Sequence, residues 1–396
     1  MHNYLPYITR PILVLSLVSL FTDMASEMLY PIMPVFLQSI GFSMVLIGIL
    51  EGFAEMIAGL SKGYFGKLSD VQRKRLPFVQ LGYALSALSK PMMAAFSAPL
   101  WIFFARTTDR IGKGLRTAPR DAMLSSMTTP AFKGRVFGFH RSMDTLGAVL
   151  GPVLALVTLY FFPGEYTLLF LVAFVPGVIA VLCTFYLREE RQPASGVHAR
   201  VGLFSFLGYL RMAGSDYKRL LAGLLVFALV NSSDVLLLLK MKNSGVPDTT
   251  VIMVYIFYNL LYTLAAFPAG IIADKLGLRQ MLVLGLCLFA VVYGGFAVTE
   301  NRAAYWILFG LYGIYAACTE GIAKAWITNI TPREEAGTAV GTYAGLSSIS
   351  AFLASTMAGI VWAGFGPGVA FGISAAVALG VAGYLLRIPY RAHAAA

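Results

Sequence analysis

The segment "GKLSDVQRKR" runs from Gly66 to Arg75, and the segment "GIIADKLGLR" runs from Gly270 to Arg279. Each consists of a glycine, three further residues, an aspartate and a basic turn, and each follows an apolar stretch long enough to cross a bilayer. The two segments stand at corresponding places in the first and second halves of the chain. A motif repeated in this way predicts two parallel structural repeats, which are typical of transporters whose halves move about a central site.

The composition predicts a protein that crosses the membrane many times. Of the 396 residues, 58% are hydrophobic and 12% are charged, whereas about 25% of residues are charged in an ordinary soluble domain. A formal net charge of +11 is also found in proteins that bind nucleic acid. Here, however, most basic residues lie at the ends of apolar stretches, where membrane topology requires them. The bilayer is therefore a predicted partner, and nucleic acid is not.

No motif predicts an enzyme or a bound cofactor. Cys183, Cys287 and Cys318 all lie in apolar segments and lack the spacing of metal ligands. The "GKG" that begins at Gly112 lacks the full spacing of a phosphate-binding loop. We therefore expect no metal, no cofactor and no ATP site, and we expect a proton gradient to supply the energy.

The apolar pattern predicts an all-α fold. A span needs about 20 mostly apolar residues, which gives about twelve spans in two six-helix bundles. The N-terminal bundle is predicted to cover residues 1–187, a cytoplasmic linker 188–218, and the C-terminal bundle 219–396. Within the linker, "VGLFSFLGYLRM" is predicted to lie flat in the membrane interface. The predicted spans lie near residues 11–36, 44–65, 77–97, 99–121, 136–160, 166–187, 219–240, 250–272, 280–299, 303–326, 341–363 and 367–387.

Lysine and arginine are divided unequally between the two ends of these spans, which predicts the orientation. One side of the membrane receives most of them, and the other side receives Lys240, Lys242 and Arg302. The basic side is expected to be the cytoplasm and to hold both termini. The predicted location is the cell membrane.

The two opening segments resemble the loop motif of the major facilitator superfamily, in which Gly-x-x-x-Asp precedes a basic turn. Arg110 with Gly114 resembles the family's element in span 4, and "GAVLGP" at Gly147–Pro152 resembles its element in span 5. Val71 and Arg73 depart from the loop motif. The residues that match it are Gly66, Asp70, Lys74 and Arg75 in the first half, and Gly270, Asp274, Lys275, Gly277 and Arg279 in the second.

The resemblance implies a transporter, usually monomeric, that works by alternating access and whose spans 1, 4, 7 and 10 line a central cavity. It also implies that the loop residues gate the transporter without touching the cargo. These implied gating residues are Gly66, Asp70, Lys74, Arg75, Gly270, Asp274 and Arg279. A further gating network is expected near the cytoplasmic ends of spans 4 and 5, formed by Arg116, His140, Arg141 and Asp144.

Span 4 carries an unusual number of charges for a membrane helix. Arg106, Arg110 and Lys113 follow a spacing of i, i+4 and i+7 and share one helix face. A basic side chain that faces lipid at mid-membrane costs at least ~2.5–3.5 kcal/mol. We therefore expect this face to meet a water-filled cavity or acidic partners.

Acidic partners for span 4 are predicted on span 1. Asp23 and Glu27 are four residues apart and share a face. With a rise of about 1.5 Å per residue, Asp23 lies near the depth of Arg110, and Glu27 near the depth of Arg106. We expect these four residues to contact the substrate or the coupling proton, because ionisable groups in cavity helices are usually functional.

The remaining charged residues of the spans allow two interpretations. On the implied cavity helices, Asn231, Asp234, Glu320 and Lys324 are further candidates for substrate or proton coupling, although Glu320 and Lys324 also have the spacing of an i, i+4 ion pair. Other buried charges are expected to serve as structural partners more than as substrate contacts. These supporting residues are Glu51, Glu55, Lys90 and Lys113.

The predicted function is proton-coupled secondary transport of a small solute. A carboxylate in a partly dry cavity beside an arginine can exchange a proton, and this would free the arginine for an anionic group. Three classes of function remain open. They are a transporter of a small organic anion or zwitterion, an exporter of drugs or siderophores, and a membrane sensor or embedded enzyme that does not transport.

Overall fold

The computed structural model describes residues 7–30, 32–33, 36–37, 40–42, 44–189 and 202–388. Within these residues the regular secondary structure is helical and no strand occurs, so the predicted all-α fold is confirmed. The helices of the first half are α1 (Arg10–Glu27), α2 (Met44–Gln72), α3 (Leu76–Ala95), α4 (Pro99–Ser126), α5 (Lys133–Phe161) and α6 (Tyr166–Thr184). Those of the second half are α7 (Ser215–Ala228), α8 (Asp234–Asn243), α9 (Asp248–Leu276), α10 (Leu278–Val298), α11 (Arg302–Asn329), α12 (Ala336–Phe365) and α13 (Pro367–Arg387).

Many of these helices suit a bilayer. Segments long and apolar enough to cross it occur in seven of the described helices, namely α5, α6 and α9 to α13. Helix α4 is not among them because charged residues recur along its length. The charges of α4 are mostly buried against neighbouring helices, which meets the requirement that they avoid lipid.

The predicted seventh span is interrupted. Helix α7 ends at Ala228 and α8 begins at Asp234. The polar run from Asn231 to Asp234 separates them, and such residues compete with helical hydrogen bonds. Ser233 caps α8 by accepting a hydrogen bond from Val235 N at 3.4 Å. Together α7 and α8 occupy one predicted span.

The chain divides into two compact units that do not coincide with its halves. The first unit takes the residues up to Met127, those from Met143 to Arg211, and Pro332–Gly345. The second takes Thr128–Ser142, Met212–Thr331 and the residues from Leu346 onward. The start of α5 therefore belongs to the second unit, and the start of α12 belongs to the first. The boundary predicted within 188–218 stays a prediction, and residues 190–201 lie outside the described part of the chain.

The described part of the linker up to Arg211 belongs to the first unit. A short 3-10 helix at Ser205–Gly208 is held by Lys67, whose Nζ donates to Ser205 O at 2.7 Å. Phe206 is 1% exposed, and its ring occupies the space beside Gly63, where an added Cβ would lie 2.8 Å away. The predicted position of this segment in the membrane interface stays a prediction, and Gly63 of α2 leaves the space that the Phe206 ring occupies.

Helices α1 and α5 approach closely within the first unit. A Cβ added at Gly151 would lie 2.7 Å from Met24 O, and one added at Gly147 would lie 3.1 Å from the Asp23 Cβ. The "GAVLGP" element therefore lets α5 pack against the part of α1 that carries Asp23 and Glu27. Larger residues at these two positions would separate the helices.

Candidate functional site

The aspartate of the first loop motif caps a helix from the other half of the chain. Asp70 Oδ2 accepts hydrogen bonds from Thr338 N at 2.5 Å and from Thr338 Oγ1 at 2.9 Å. Its Oδ1 lies 3.0 Å from Nη2 of Arg75. Thr338 is in the first turn of α12, where backbone N–H groups lack helical partners and the helix dipole favours an anion. The carboxylate therefore holds the end of α2 against the start of α12.

The aspartate of the second loop motif makes the equivalent contact. Asp274, in the last turn of α9, accepts hydrogen bonds from Gly134 N at 2.8 Å and from Arg135 N at 2.9 Å. Its Oδ2 also lies 3.3 Å from Nε of Arg135. Both donors belong to the first turn of α5. The sequence repeat thus corresponds to a repeat of structure, in which each motif aspartate caps the first turn of a helix from the opposite half.

Glycines bring these helices close enough for the caps to form. In the first unit, a Cβ at Gly341 would lie 2.6 Å from Lys62 O, and Gly66 packs against Gly337. Gly66 was predicted as a gating residue, but the glycines of α12 were not. Their signal was present in the sequence, because Gly337 and Gly341 form a Gly-x-x-x-Gly pair, which marks close helix contacts in membranes.

The second unit repeats this packing between α9 and α5. Gly270 packs against Gly134, and a Cβ at Gly138 would lie 2.6 Å from Ala266 O. Gly134 and Gly138 also form a Gly-x-x-x-Gly pair. Because backbone meets backbone at these points, the contacts leave no room for side chains that could bind cargo.

The basic residues of the two motifs have different partners. Arg75 Nη2 also donates to Arg333 O at 2.7 Å, and the backbone N of Arg75 donates to Glu189 Oε1 at 2.8 Å. Arg279 donates instead to Ile388 O at 2.9 Å, beyond the end of α13. Lys74 is exposed. Among Lys74, Arg75 and Arg279, the described ion pair with a motif aspartate is that of Arg75 with Asp70.

Helix α4 contributes a buried ion pair with α3. Lys90 Nζ lies 2.8 Å from Asp109 Oδ1, and Lys90 is 1% exposed. Ser89 Oγ donates to the same carboxylate oxygen at 3.4 Å. Lys90 was predicted as a supporting charge, and the structure pairs it with Asp109 of α4.

Arg110 contacts α2. Its Nη1 lies 3.7 Å from Glu55 Oε2, and Lys62 Nζ lies 3.9 Å from Glu55 Oε1. These separations exceed ordinary hydrogen-bond lengths, so the contacts are electrostatic. Lys113 is exposed. The side chain of Glu51 lies outside the described part of the structure.

The predicted partners on α1 lie in the same unit. Asp23 and Glu27 are half-buried, Arg106 is buried and Arg110 is half-buried. The predicted pairing of Asp23 with Arg110 and of Glu27 with Arg106 stays a prediction. The described ion-pair contact of Arg110 is with Glu55.

A second buried polar network joins α1, α4 and α5. Arg120 Nη2 lies 2.9 Å from Asp121 Oδ1, and its Nη1 donates to Ser19 Oγ at 3.1 Å. Ser19 in turn donates to Asp144. Asp144 was predicted as a gating residue, whereas Arg120 and Asp121 were not predicted as site residues. Only the packing of α1, α4 and α5 brings the Arg120–Asp121 pair to Ser19 and Asp144.

Arg116 was expected beside Asp144, but its described contacts are with α3. It donates to Ser86 Oγ, and its guanidinium lies 4.7 Å from the centre of the Tyr83 ring. The side chain turns toward α3 because Gly82 leaves space there: a Cβ on Gly82 would lie 2.7 Å from the Arg116 Cβ. His140 of α5 is buried.

In the second unit, Arg141 joins three helices. It pairs with Glu320 of α11, and its Nε donates to Tyr262 Oη of α9 at 2.5 Å. Glu320 was considered as an i, i+4 partner of Lys324, but its described ion pair is with Arg141. Lys324 is half-buried on the next turn of α11.

Asp234 lies beside a cluster of aromatic rings. Tyr312 Oη donates to Asp234 Oδ1 at 2.7 Å. The Tyr312 ring stacks on Tyr258 and on Tyr315, with centroid distances of 5.1 and 5.2 Å. Asn231 Oδ1, in the break between α7 and α8, is a buried atom for which the described residues supply no hydrogen-bond donor.

Comparison with known proteins agrees with this architecture. The family model of the Major Facilitator Superfamily matches residues 15–241 and 219–396. An uncharacterized MFS-type transporter of Methanocaldococcus jannaschii is 30% identical over 362 residues, which cover 90% of this chain and 89% of that protein. The multidrug resistance protein MdtH of Proteus mirabilis is 23% identical over 79% of this chain and 76% of its own length.

Solved structures of low identity share the fold. The human organic anion transporter MFSD10 has a TM-score of 0.82 at 16% identity, over 95% of this chain and 99% of that one. The Escherichia coli fucose:proton symporter has a TM-score of 0.73 at 11% identity, over 96% of this chain and 99% of that one. The helices of span length and the paired loop motifs together define a multi-pass helical membrane protein. The chain belongs to the major facilitator superfamily, a family of transporters and not of enzymes.

Proposed function

We propose that this protein is a secondary transporter that works by alternating access. The observation that carries the proposal is the matched pair of caps at Asp70 and Asp274. Each joins helices from opposite halves of the chain through a few polar contacts with a helix N-terminus. Such contacts are worth only about 0.3–2 kcal/mol each, so they can break and re-form during a transport cycle.

We further propose that the cargo is a small organic anion or zwitterion. Arg106 is buried on α4, and Arg110 has its described ion-pair contact with Glu55 at 3.7 Å. An ion pair at this distance is weaker than a hydrogen-bonded pair, so an anionic cargo could compete with Glu55 for the Arg110 guanidinium. Arginine binds carboxylate and phosphate groups through two parallel hydrogen bonds.

The proposed coupling ion is the proton, with Asp23 or Glu27 as its site. Protonation of either carboxylate would remove its attraction for the arginines of α4 and leave them available to the cargo. Deprotonation would reverse this. We also propose that the protein acts as a monomer in the cell membrane.

A drug exporter is the second candidate function. The relative named MdtH is a multidrug resistance protein, and the aromatic cluster around Tyr312 lies beside the carboxylate of Asp234. Aromatic rings and an acid together favour lipophilic cations. The two candidates therefore differ in the charge of the cargo.

A thermal-shift screen of purified protein distinguishes the two candidates. Small carboxylates, phosphates and zwitterions form one arm, and lipophilic cations form the other. A ligand at about 100 times its Kd should stabilise the protein by ~2.7 kcal/mol. We expect hits in the first arm, and we expect Arg110→Gln to lose the shift while the exposed Arg211→Gln keeps it. Hits restricted to the second arm would support the exporter instead.

Transport in liposomes then tests gating and coupling separately. Asp70→Asn should slow exchange while the ligand shift persists, and the exposed Glu334→Gln serves as its control.

Asp23→Asn should permit cargo exchange but lose its pH dependence. If Asp23→Asn keeps full pH-dependent accumulation, the proton site lies elsewhere, and Glu27, Asp234 and Glu320 are the next residues to change.

A further inference from the structure

An apolar groove lies on the second unit between α7 and α13. Its volume is about 420 Å³, and Tyr384 is its one lining residue with a polar side-chain atom. Glycine lines both sides of the groove. Gly380 on α13 leaves open space, and Gly223 on α7 lets α13 approach closely, because a Cβ added there would lie 2.9 Å from Leu385 Cδ2 and 3.2 Å from the Tyr384 ring. A Cβ added at Gly380 would have nothing within 4 Å.

The groove follows the length of the helices. On α13 it extends from Val377 through Gly380 and Val381 to Tyr384, a spacing that keeps these residues on one helix face. Seven residues of helix correspond to about 10 Å. Half of a bilayer's hydrocarbon core is about 15 Å thick. The groove therefore has the direction and much of the length of one lipid acyl chain.

One end of the groove is basic. Lys218 and Arg219 each precede a lining residue of α7 by one turn, and Arg387 follows Tyr384 by one turn on α13. Tyr384 Oη donates to Arg219 O at 3.2 Å, which places the start of α7 beside the end of α13. All three basic side chains are exposed.

The opposite end of the groove is apolar. It is formed by Val226 of α7 and Val377 of α13. An apolar channel that leads to cations at one end matches a molecule with a hydrocarbon tail and an anionic head. Basic pockets between membrane helices bind the head groups of acidic lipids in this way.

We propose that the groove between α7 and α13 binds one acyl chain of an anionic phospholipid, with its phosphate at Lys218, Arg219 and Arg387. A neutral lipid has no net charge for three cations to attract. A second copy of the chain fits less well. In a two-fold dimer within a bilayer the symmetry axis runs along the membrane normal, so the basic ends of both copies would face each other.

The test uses the full-length protein purified in a neutral detergent. Thermal unfolding is measured with added dioleoyl phosphatidylglycerol or dioleoyl phosphatidylcholine, which have the same chains and differ in charge. Phosphatidylglycerol should raise Tm more than phosphatidylcholine does. Gly380→Leu fills the groove and should lose the phosphatidylglycerol shift. Gly383→Leu is its control, because Gly383 is exposed on the same helix, does not line the groove, and also has open space around an added Cβ.

A charge variant gives an independent result that does not require filling the groove. The triple change Lys218→Gln, Arg219→Gln and Arg387→Gln should equalise the two lipids. The proposal is overturned if phosphatidylglycerol and phosphatidylcholine stabilise the wild type equally, or if Gly380→Leu keeps the phosphatidylglycerol shift. Disulfide dimers formed by Gly380→Cys in membranes would assign the groove to a second copy and would also overturn it.

Discussion

At the scale of single residues, buried charges in this protein depend on their partners. Lys90 and Asp109 lie 2.8 Å apart between α3 and α4, and Lys90 is among the largest fully buried side chains. Removing two charges from water costs several kcal/mol per ion, which the attraction between them offsets only when both are present. The pair is therefore expected to be more sensitive to the loss of one partner than to the loss of both.

Changing one member of this pair should destabilise the protein strongly. Lys90→Met or Asp109→Leu alone leaves an uncompensated buried charge, and each should lower the stability by about 3–5 kcal/mol. The double variant should recover much of the loss, because two apolar side chains then meet. The measurement is Tm in detergent for both singles and the double, with Lys113→Met as a control at an exposed lysine of α4. A double variant no more stable than its worse single would show that the two charges are not coupled.

At the scale of helices, glycine decides which elements can meet. The caps at Asp70 and Asp274 form only because glycine pairs let α2 approach α12 and let α9 approach α5. A side chain of any size at these positions would displace one helix from the other. The caps and the glycines therefore act together to hold these helix ends in contact.

A larger residue at Gly341 should separate α2 from α12. The Cβ of Gly341→Val would lie 2.6 Å from Lys62 O, whereas that of Gly359→Val on the same helix would have nothing within 4 Å. We expect Gly341→Val to lower Tm and to expose Ser69, which is 0% exposed in the structure. The measurement is the rate of maleimide labelling of Ser69→Cys in a background from which the three native cysteines have been removed. Equal labelling in both glycine variants would exclude a role for this contact.

At the scale of the whole molecule, the charges at the two ends of the spans predict the orientation in the membrane. The unequal distribution of lysine and arginine predicts that Lys74 faces the cytoplasm and Lys242 faces the outside. Both side chains are exposed, so cysteine variants at these positions can be labelled without unfolding the protein.

Labelling intact cells tests this orientation. A membrane-impermeant maleimide should label Lys242→Cys directly, and it should label Lys74→Cys only after the membrane is opened, again without the native cysteines. The reason is that basic segments are retained on the cytoplasmic side during insertion. Labelling of both positions from the same side would contradict the predicted topology.

The amino-acid sequence determined the class of fold and the repeated motif. Apolar stretches of span length admit only helices or closed barrels in a bilayer, because every backbone group needs an internal partner. Asp70 and Asp274 could be found from sequence because their motif is local: a glycine, an aspartate and a basic turn stand within ten residues. The burial of the α4 charges likewise follows from the cost of placing them in lipid.

Tertiary structure alone decided which charges meet. Sequence spacing shows which side chains share a face of one helix. It does not show which other helix that face contacts, so it cannot identify an ion-pair partner on another helix. In the structure, Lys90 pairs with Asp109 of α4, Glu320 pairs with Arg141, and Arg116 donates to Ser86. The groove between α7 and α13 could not be predicted from sequence for the same reason. An apolar helix face with glycines forms a cavity only when a second such face lies beside it.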